Sequence, residues 1–147
     1  WWGGPLRYRR LLGVGAFALS VVHVLQMVVH SWNWNLEAIA FMLPQHRISI
    51  GLGAAAVVMM MPLALTSFDW AQAAMGRWWR RLHLLSVPAF LLVALHTLLI
   101  GSHYLGRAQL TWVNAALVML LGVTVVTVLL LRSPLPQKLL SYYPKSL

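Results

Sequence analysis

Four long apolar stretches dominate the pattern of hydrophobic and polar positions along the chain. They cover residues 11–30, 48–67, 82–101 and 112–131, which we label spans A, B, C and D. Each approaches the roughly 20 apolar residues that a helix needs to cross the hydrocarbon core of a bilayer. The pattern predicts an all-α fold, an integral membrane bundle of four transmembrane helices forming a single domain over residues 1–147.

The segment between spans A and B, residues 31–47, is too long for a tight turn. Its apolar positions Leu36, Ile39, Ala40 and Leu43 recur at intervals of three and four residues. This spacing predicts a short helix that lies in the membrane interface.

The composition excludes a soluble domain, since 61% of the residues are hydrophobic and 9% are charged. Soluble domains carry about 25% charged residues. The absence of cysteine excludes disulfides, thiolate metal sites and iron–sulfur clusters. A net charge of +9 could indicate nucleic acid, but the basic residues lie between apolar runs rather than on a soluble face. We therefore expect a lipid bilayer, and no nucleic acid, as the partner.

The basic residues are distributed unequally between the two sides of the predicted bundle. Arg47 and Arg107 lie on one side, and the other nine lie on the opposite side: Arg7, Arg9, Arg10, Arg77, Arg80, Arg81, Arg132, Lys138 and Lys145. All eight tryptophans also fall at or beyond span ends, as an aromatic belt requires. The positive-inside bias predicts that both termini face the cytoplasm, in a bacterial inner membrane or an equivalent energy-transducing membrane.

Two histidines within the spans are the first candidates for chemistry, because ionisable residues inside a membrane are costly. His23 lies in the middle of span A, and His96 lies in the outer half of span C. At about 1.5 Å per residue they stand roughly 18 and 21 Å above the inner ends of two parallel helices. Two level imidazoles are suited to ligating a low-spin haem from both faces. Ala16 and Ala89, two turns below them, would leave room for a porphyrin edge.

Other interpretations of this histidine pair remain open. A buried histidine is often a hydrogen-bonded core residue without a ligand. Zinc is less suitable, since no acid or cysteine is at hand to complete a tetrahedral shell. A proton pathway would need intramembrane carboxylates, and the predicted spans contain none.

The remaining candidate histidines lie nearer the span ends. His30 and His103 are each seven residues beyond the first pair, about 10.5 Å along a helix, which is tight for a second haem. We interpret them as groups near a haem edge or its propionates. His83 lies about 20 Å below His96, a workable spacing for an inner haem. Its partner position on span A is near Arg10, which does not ligate iron.

Two arginines next to His83 have several interpretations. Arg80 and Arg81 could contact haem propionates, lipid headgroups or an acidic partner, or could act as topology anchors. His83 itself could be a hydrated histidine beside them.

Five short motifs along the chain form a recognisable set: Arg9-Arg10-Leu11-Leu12-Gly13, Val22-His23, Leu65-Thr66-Ser67, Gly76-Arg77-Trp78-Trp79-Arg80-Arg81-Leu82-His83 and Leu95-His96. With these motifs, the sequence resembles the ferric reductase-like transmembrane family over about residues 7–132.

This resemblance implies haem b, ligated by histidines of the first and third of these helices. It implies that His23 and His96 bind the outer haem and that His83 matches the inner site. Span A has no histidine thirteen or fourteen residues from His23 to complete a second pair: position 10 is Arg10, and position 37 is Glu37, already in the loop. One haem is therefore expected, and a second is left open.

The resemblance also bears on how the chain works with other components. The family usually has six helices, so either an N-terminal part is missing or this is a shortened member. Larger members carry a cytoplasmic flavin- and nucleotide-binding module, and nothing like it follows Lys145. Electrons would therefore come from quinol or a separate reductase, with any quinone or flavin supplied by or shared with that partner.

Two functions follow as hypotheses. The first is a transmembrane electron-transfer subunit, not a self-sufficient enzyme, that passes electrons to an acceptor on the outer side. The second is a non-catalytic accessory subunit of a larger membrane complex that keeps the fold.

Overall fold

The computed structural model describes residues 8–101 and 111–133, which are helical apart from turns. The elements are α1 (Arg9–Gln26), a π turn that continues it (Met27–Ser31), a 3₁₀ helix (Leu36–Phe41), α2 (Pro44–Leu65), α3 (Asp69–Met75), α4 (Arg77–His83), α5 (Ser86–Ile100) and α6 (Trp112–Arg132). The 3₁₀ helix occupies the segment where the sequence predicts a short helix.

The prediction of four membrane spans in an all-α fold is confirmed within the described residues. The apolar helices long enough to cross a membrane are Arg9–Ser31, Pro44–Leu65, Arg77–Ile100 and Trp112–Arg132. The second begins four residues before the predicted start of span B. Proline has no backbone N–H, and a first helical turn needs none, so Pro44 starts the helix favourably.

The third span is interrupted rather than continuous. It consists of α4 and α5, joined through Leu84 and Leu85. Pro88 has no N–H to donate to the carbonyl of Leu84 one turn earlier, and that carbonyl accepts from Val87 N at 3.1 Å. The hydroxyl of Ser86 donates to the carbonyl of His83 at 2.7 Å. The break therefore follows from the position of the proline.

Small residues form the buried surface between α2 and α5, which pack more extensively than any other pair of described helices. α1 also contacts α2, and α6 contacts α5. Small side chains let helix backbones approach closely in a membrane. The buried residues of these two helices are Ser49, Ala56 and Ala64 on α2 and Ala89 and Ala94 on α5.

Polar contacts join the elements at one end of the bundle. Arg10, near the start of α1, forms an ion pair with Asp69 at the start of α3. Its guanidinium holds the pKa of Asp69 below the ordinary value of 3.8, by hydrogen bonding first and by charge second. The indole N–H of Trp79 on α4 donates to the carbonyl of Thr66 at 2.8 Å. These contacts connect the start of α1 with the residues that follow α2.

The last described helix joins the same end. The guanidinium of Arg132 donates to the hydroxyl of Ser86 at 2.7 Å, linking the end of α6 to the start of α5. The first residues of α1 and the last residues of α6 therefore lie at one end of the bundle, which an even number of spans requires.

Enlarging a side chain between α2 and α5 should destabilise the protein. We expect Ala56→Leu, at a position with 0% exposure, to cost about 1–3 kcal/mol through overpacking. Ala55→Leu is the matched control, because Ala55 is exposed on the same helix. Thermal unfolding in detergent checks this, and an equal loss of stability in both variants would contradict the packing described.

Candidate functional site

The structure brings His23 of α1 and His96 of α5 together. Their ring centroids lie 6.3 Å apart, with the ring planes at 77°. α1 and α5 run in the same direction, so the two side chains stand at one level of the bundle. This is the level at which counting residues along spans A and C places them.

The imidazole of His96 is fixed by α2. Its Nδ1 lies 2.8 Å from the backbone carbonyl oxygen of Ser49. A carbonyl can only accept, so Nδ1 carries the proton and Nε2 keeps its lone pair. In return, the hydroxyl of Ser49 donates to the backbone carbonyl of His96 at 2.9 Å. The two residues therefore hold each other reciprocally across the helix interface.

Gly53, one turn beyond Ser49, makes room for this imidazole. A Cβ atom at position 53 would lie 2.7 Å from Nδ1 of His96 and 3.0 Å from its Cε1. The ring therefore rests where a side chain would otherwise be. The roles of Ser49 and Gly53 were not predicted from the sequence, although two small residues four positions apart on one helix are a usable signal.

His23 is held less firmly than the sequence predicts. It is exposed on the surface of the chain, whereas a buried residue was expected. Within the described residues its imidazole makes no hydrogen bond, and the one ring contact of that imidazole is with His96. The physical reason is that α1 packs mainly against α2 and buries none of its residues.

The small residues below the two histidines also differ from expectation. Ala16 is exposed on α1. Ala89, however, is 2% exposed and lies in the packed interface of α5. The expectation that Ala89 leaves space for a cofactor edge is therefore wrong, because the residue is already buried.

The distance between the two rings fits a shared metal ion. An imidazole nitrogen binds a first-row metal at about 2 Å, and the ring centre lies about 1 Å further back. Two imidazoles on opposite sides of one ion would thus have centres about 6 Å apart, close to the observed 6.3 Å. The pair is suited to bis-histidine ligation, with Nε2 of His96 as a defined donor.

His83, the last residue of α4, lies in a different environment from the histidine pair. Its ring stacks on Trp79 at 4.0 Å between centroids, and its Nδ1 lies 3.1 Å from the carbonyl of the same residue. The guanidinium of Arg9 lies 5.8 Å from the centre of the Trp79 ring. The start of α1 therefore brings an arginine, and not a histidine, toward this level.

The other predicted site residues are not gathered at the histidine pair. His30 lies in the π turn, exposed, beside a shallow apolar groove on α1. Arg80 is exposed, and Arg81 places its guanidinium 4.8 Å from the centre of the Trp78 ring. His103 lies outside the described residues.

Comparison with known proteins gives the chain a family. The model of the ferric reductase like transmembrane component matches residues 2–94. The matched segment contains His23 and His83 and ends two residues before His96. No solved structure matches the chain.

Several relatives are similar over most of the chain. The magnetosome protein MamZ of Magnetospirillum gryphiswaldense is 38% identical over 116 residues, 78% of this chain and 17% of MamZ. The protein-methionine-sulfoxide reductase heme-binding subunit MsrQ of Brucella anthropi is 37% identical over 91 residues, 62% of this chain and 41% of that protein. MsrQ of Brucella ovis is 37% identical over 94 residues, 64% of this chain and 42% of that protein.

The chain thus spans less than half the length of these relatives. The resemblance seen in the sequence motifs is nevertheless confirmed, because the family model covers more than half of the chain. The protein is a multi-pass integral membrane protein that belongs to the ferric reductase-like transmembrane family.

Proposed function

We propose that the chain is the haem-binding part of a membrane electron-transfer subunit, with His23 and His96 as the axial ligands of one haem b. The observation that carries this proposal is the 6.3 Å separation of their rings, with Nδ1 of His96 already bonded to Ser49. The MsrQ relatives are named as heme-binding subunits, which supports the same cofactor here.

A bound haem supplies a one-electron iron couple, and the protein supplies ligands, orientation and dielectric. His96 presents a lone pair on Nε2 because its other nitrogen is occupied by a backbone carbonyl. His23 presents its imidazole from the parallel helix at the same level. The apolar spans around the pair exclude water and charge, which limits electron exchange to partners at the two membrane surfaces.

The proposal includes one haem. His83 faces Trp79, with an arginine of α1 nearby, so a second axial ligand is not evident there among the described residues. Arg80 and Arg81 lie about 22–24 Å along the third span from His96. We therefore assign these arginines to lipid headgroups or an acidic partner on the cytoplasmic side, and not to this haem.

The donor and the acceptor are expected to be separate components. MsrQ is named as one subunit of a reductase, and by analogy we propose that this chain receives electrons from quinol or a separate reductase. It would pass them to an acceptor on the outer side or within a larger complex. A flavin or quinone would then be contributed by the partner.

Removing either proposed ligand should abolish the low-spin b-type spectrum. We expect His23→Ala and His96→Ala each to lose haem from the purified protein, because one imidazole alone leaves the iron without its second axial ligand. His46→Ala, in the first turn of α2, is the matched control and should retain haem. A reduced-minus-oxidised spectrum with haem extraction measures this. Full haem in either ligand variant would exclude the pairing.

The number of haems can be tested at His83. We expect one haem per chain, and we expect His83→Ala to keep the whole haem content, because its ring is engaged with Trp79. Haem extraction against protein concentration gives the ratio. Two haems per chain, with half of the total lost in His83→Ala, would contradict the one-haem proposal. Purified protein without stoichiometric haem would instead favour an accessory subunit that keeps the fold.

We also propose that both termini face the cytoplasm, from the charge bias described above. The absence of native cysteine makes a clean test possible. We expect Gln45→Cys, before the main part of α2, to react with a membrane-impermeant maleimide in spheroplasts. Gln72→Cys, in α3, should react only after lysis. Both positions are exposed, so the reverse labelling pattern would mean the opposite orientation.

A further inference from the structure

His96 and His23 differ sharply in how the protein holds them. His96 has a hydrogen-bond partner for its Nδ1 and a surface against which its ring packs. His23 has neither among the described residues. A histidine ligand is usually oriented by a bond from its second nitrogen, and this bond also raises the basicity of the ligating nitrogen. The difference therefore bears on the properties of the iron.

From this contrast, and resting on the haem ligation proposed above, we propose that Ser49 and Gly53 are positioning residues for His96. Together they form a surface on α2, the Ser49–Gly53 surface, that fixes the tautomer and the ring orientation of one axial ligand. Among the described residues His23 has no equivalent surface, so its orientation is set mainly by the haem iron that it binds. The site is thus asymmetric: the protein fixes the orientation of the His96 imidazole, whereas the His23 imidazole takes its orientation from the bound haem.

Ser49 is completely buried and is hydrogen-bonded to His96. Its side chain is the largest that is completely buried among the described residues, with 0% exposure. It has polar contacts in both directions with His96: its carbonyl accepts from Nδ1 at 2.8 Å, and its hydroxyl donates to the His96 carbonyl at 2.9 Å. The hydroxyl oxygen also lies 3.2 Å from Nδ1. A buried hydroxyl in an apolar interface needs such partners, and here all of them belong to the histidine.

Gly53 leaves the space through which the imidazole of His96 reaches the carbonyl of Ser49. A carbonyl oxygen has two lone pairs, so Ser49 can accept from His96 while it remains in the helix. The imidazole reaches this carbonyl only by lying over position 53. A methyl group there would stand 2.7 Å from Nδ1, which forces the ring away from the carbonyl. Glycine at this position is therefore required by the histidine and not by the backbone of α2.

The test compares alanine at two glycines of the same helix. Gly51 and Gly53 lie two residues apart in α2, and a Cβ at Gly51 would meet nothing within 4 Å. Both substitutions raise helix propensity equally, so their difference isolates the contact with His96. We expect Gly53→Ala to weaken haem retention about 10-fold or more, the usual range for losing such a bond. We expect Gly51→Ala to leave it unchanged.

Two spectroscopic readouts distinguish positioning from a general loss of structure. Gly53→Ala protein that retains haem should show a higher midpoint potential, because a less basic imidazole stabilises the ferric state less. Its low-spin EPR g values should also shift, since they depend on ring orientation. Ser49→Ala keeps the carbonyl and removes the hydroxyl. It should shift the midpoint potential and the g values in the same direction as Gly53→Ala does, but by a smaller amount. Identical potentials and g values in Gly53→Ala and Gly51→Ala would overturn the proposal.

Chemical rescue provides a second measurement that does not depend on the Gly53 variant. We expect haem binding by His96→Gly to be restored by imidazole but poorly by 1-methylimidazole, which has no N–H to donate to Ser49. His23→Gly should be restored by both ligands to a similar extent. If His96→Gly and His23→Gly discriminated equally between imidazole and 1-methylimidazole, the proposed asymmetry would be refuted. Retention of full haem by His96→Ala would instead refute the ligand assignment itself, so the two failures are distinguishable.

Discussion

The close packing of α2 against α5 is the interaction on which the rest of the structure depends. Hydrophobic burial distinguishes poorly between helices in lipid, so association relies on close contact and interhelical hydrogen bonds. Here the buried positions are alanines and a serine, which permit both. The same closeness that joins the helices brings a backbone carbonyl of one within reach of an imidazole on the other. Stability and the geometry of the site therefore come from one interface.

The arrangement divides the bundle into a firm part and a loosely packed part. α2 and α5 share a packed interface, and polar contacts at one end hold α4 and α6 to them. α1 has an ion pair at its start and contacts with α2, but none of its residues is buried. His96 belongs to the firmly packed part, and His23 belongs to the loosely packed part.

Much of this fold follows from the sequence, because span length and charge bias are properties of short segments. Counting residues along two parallel helices was enough to place His23 and His96 at one level. The exposure of His23 could not be predicted, since hydropathy does not say which helices are neighbours. The role of Ser49 was hidden for another reason: it acts partly through its main-chain carbonyl, a group that almost any residue would offer. Gly53 is a small residue in a membrane span, but the atoms that it accommodates lie on another helix.

The exposed position of α1 has a consequence for assembly. If His23 and His96 share one iron, the cofactor connects a helix with no buried residues to a pair that is already packed. Haem then acts as a structural cross-link as well as a redox centre. Cofactor insertion and the final docking of the first helix would be one event, so apoprotein should remain in a state that quality-control proteases can recognise.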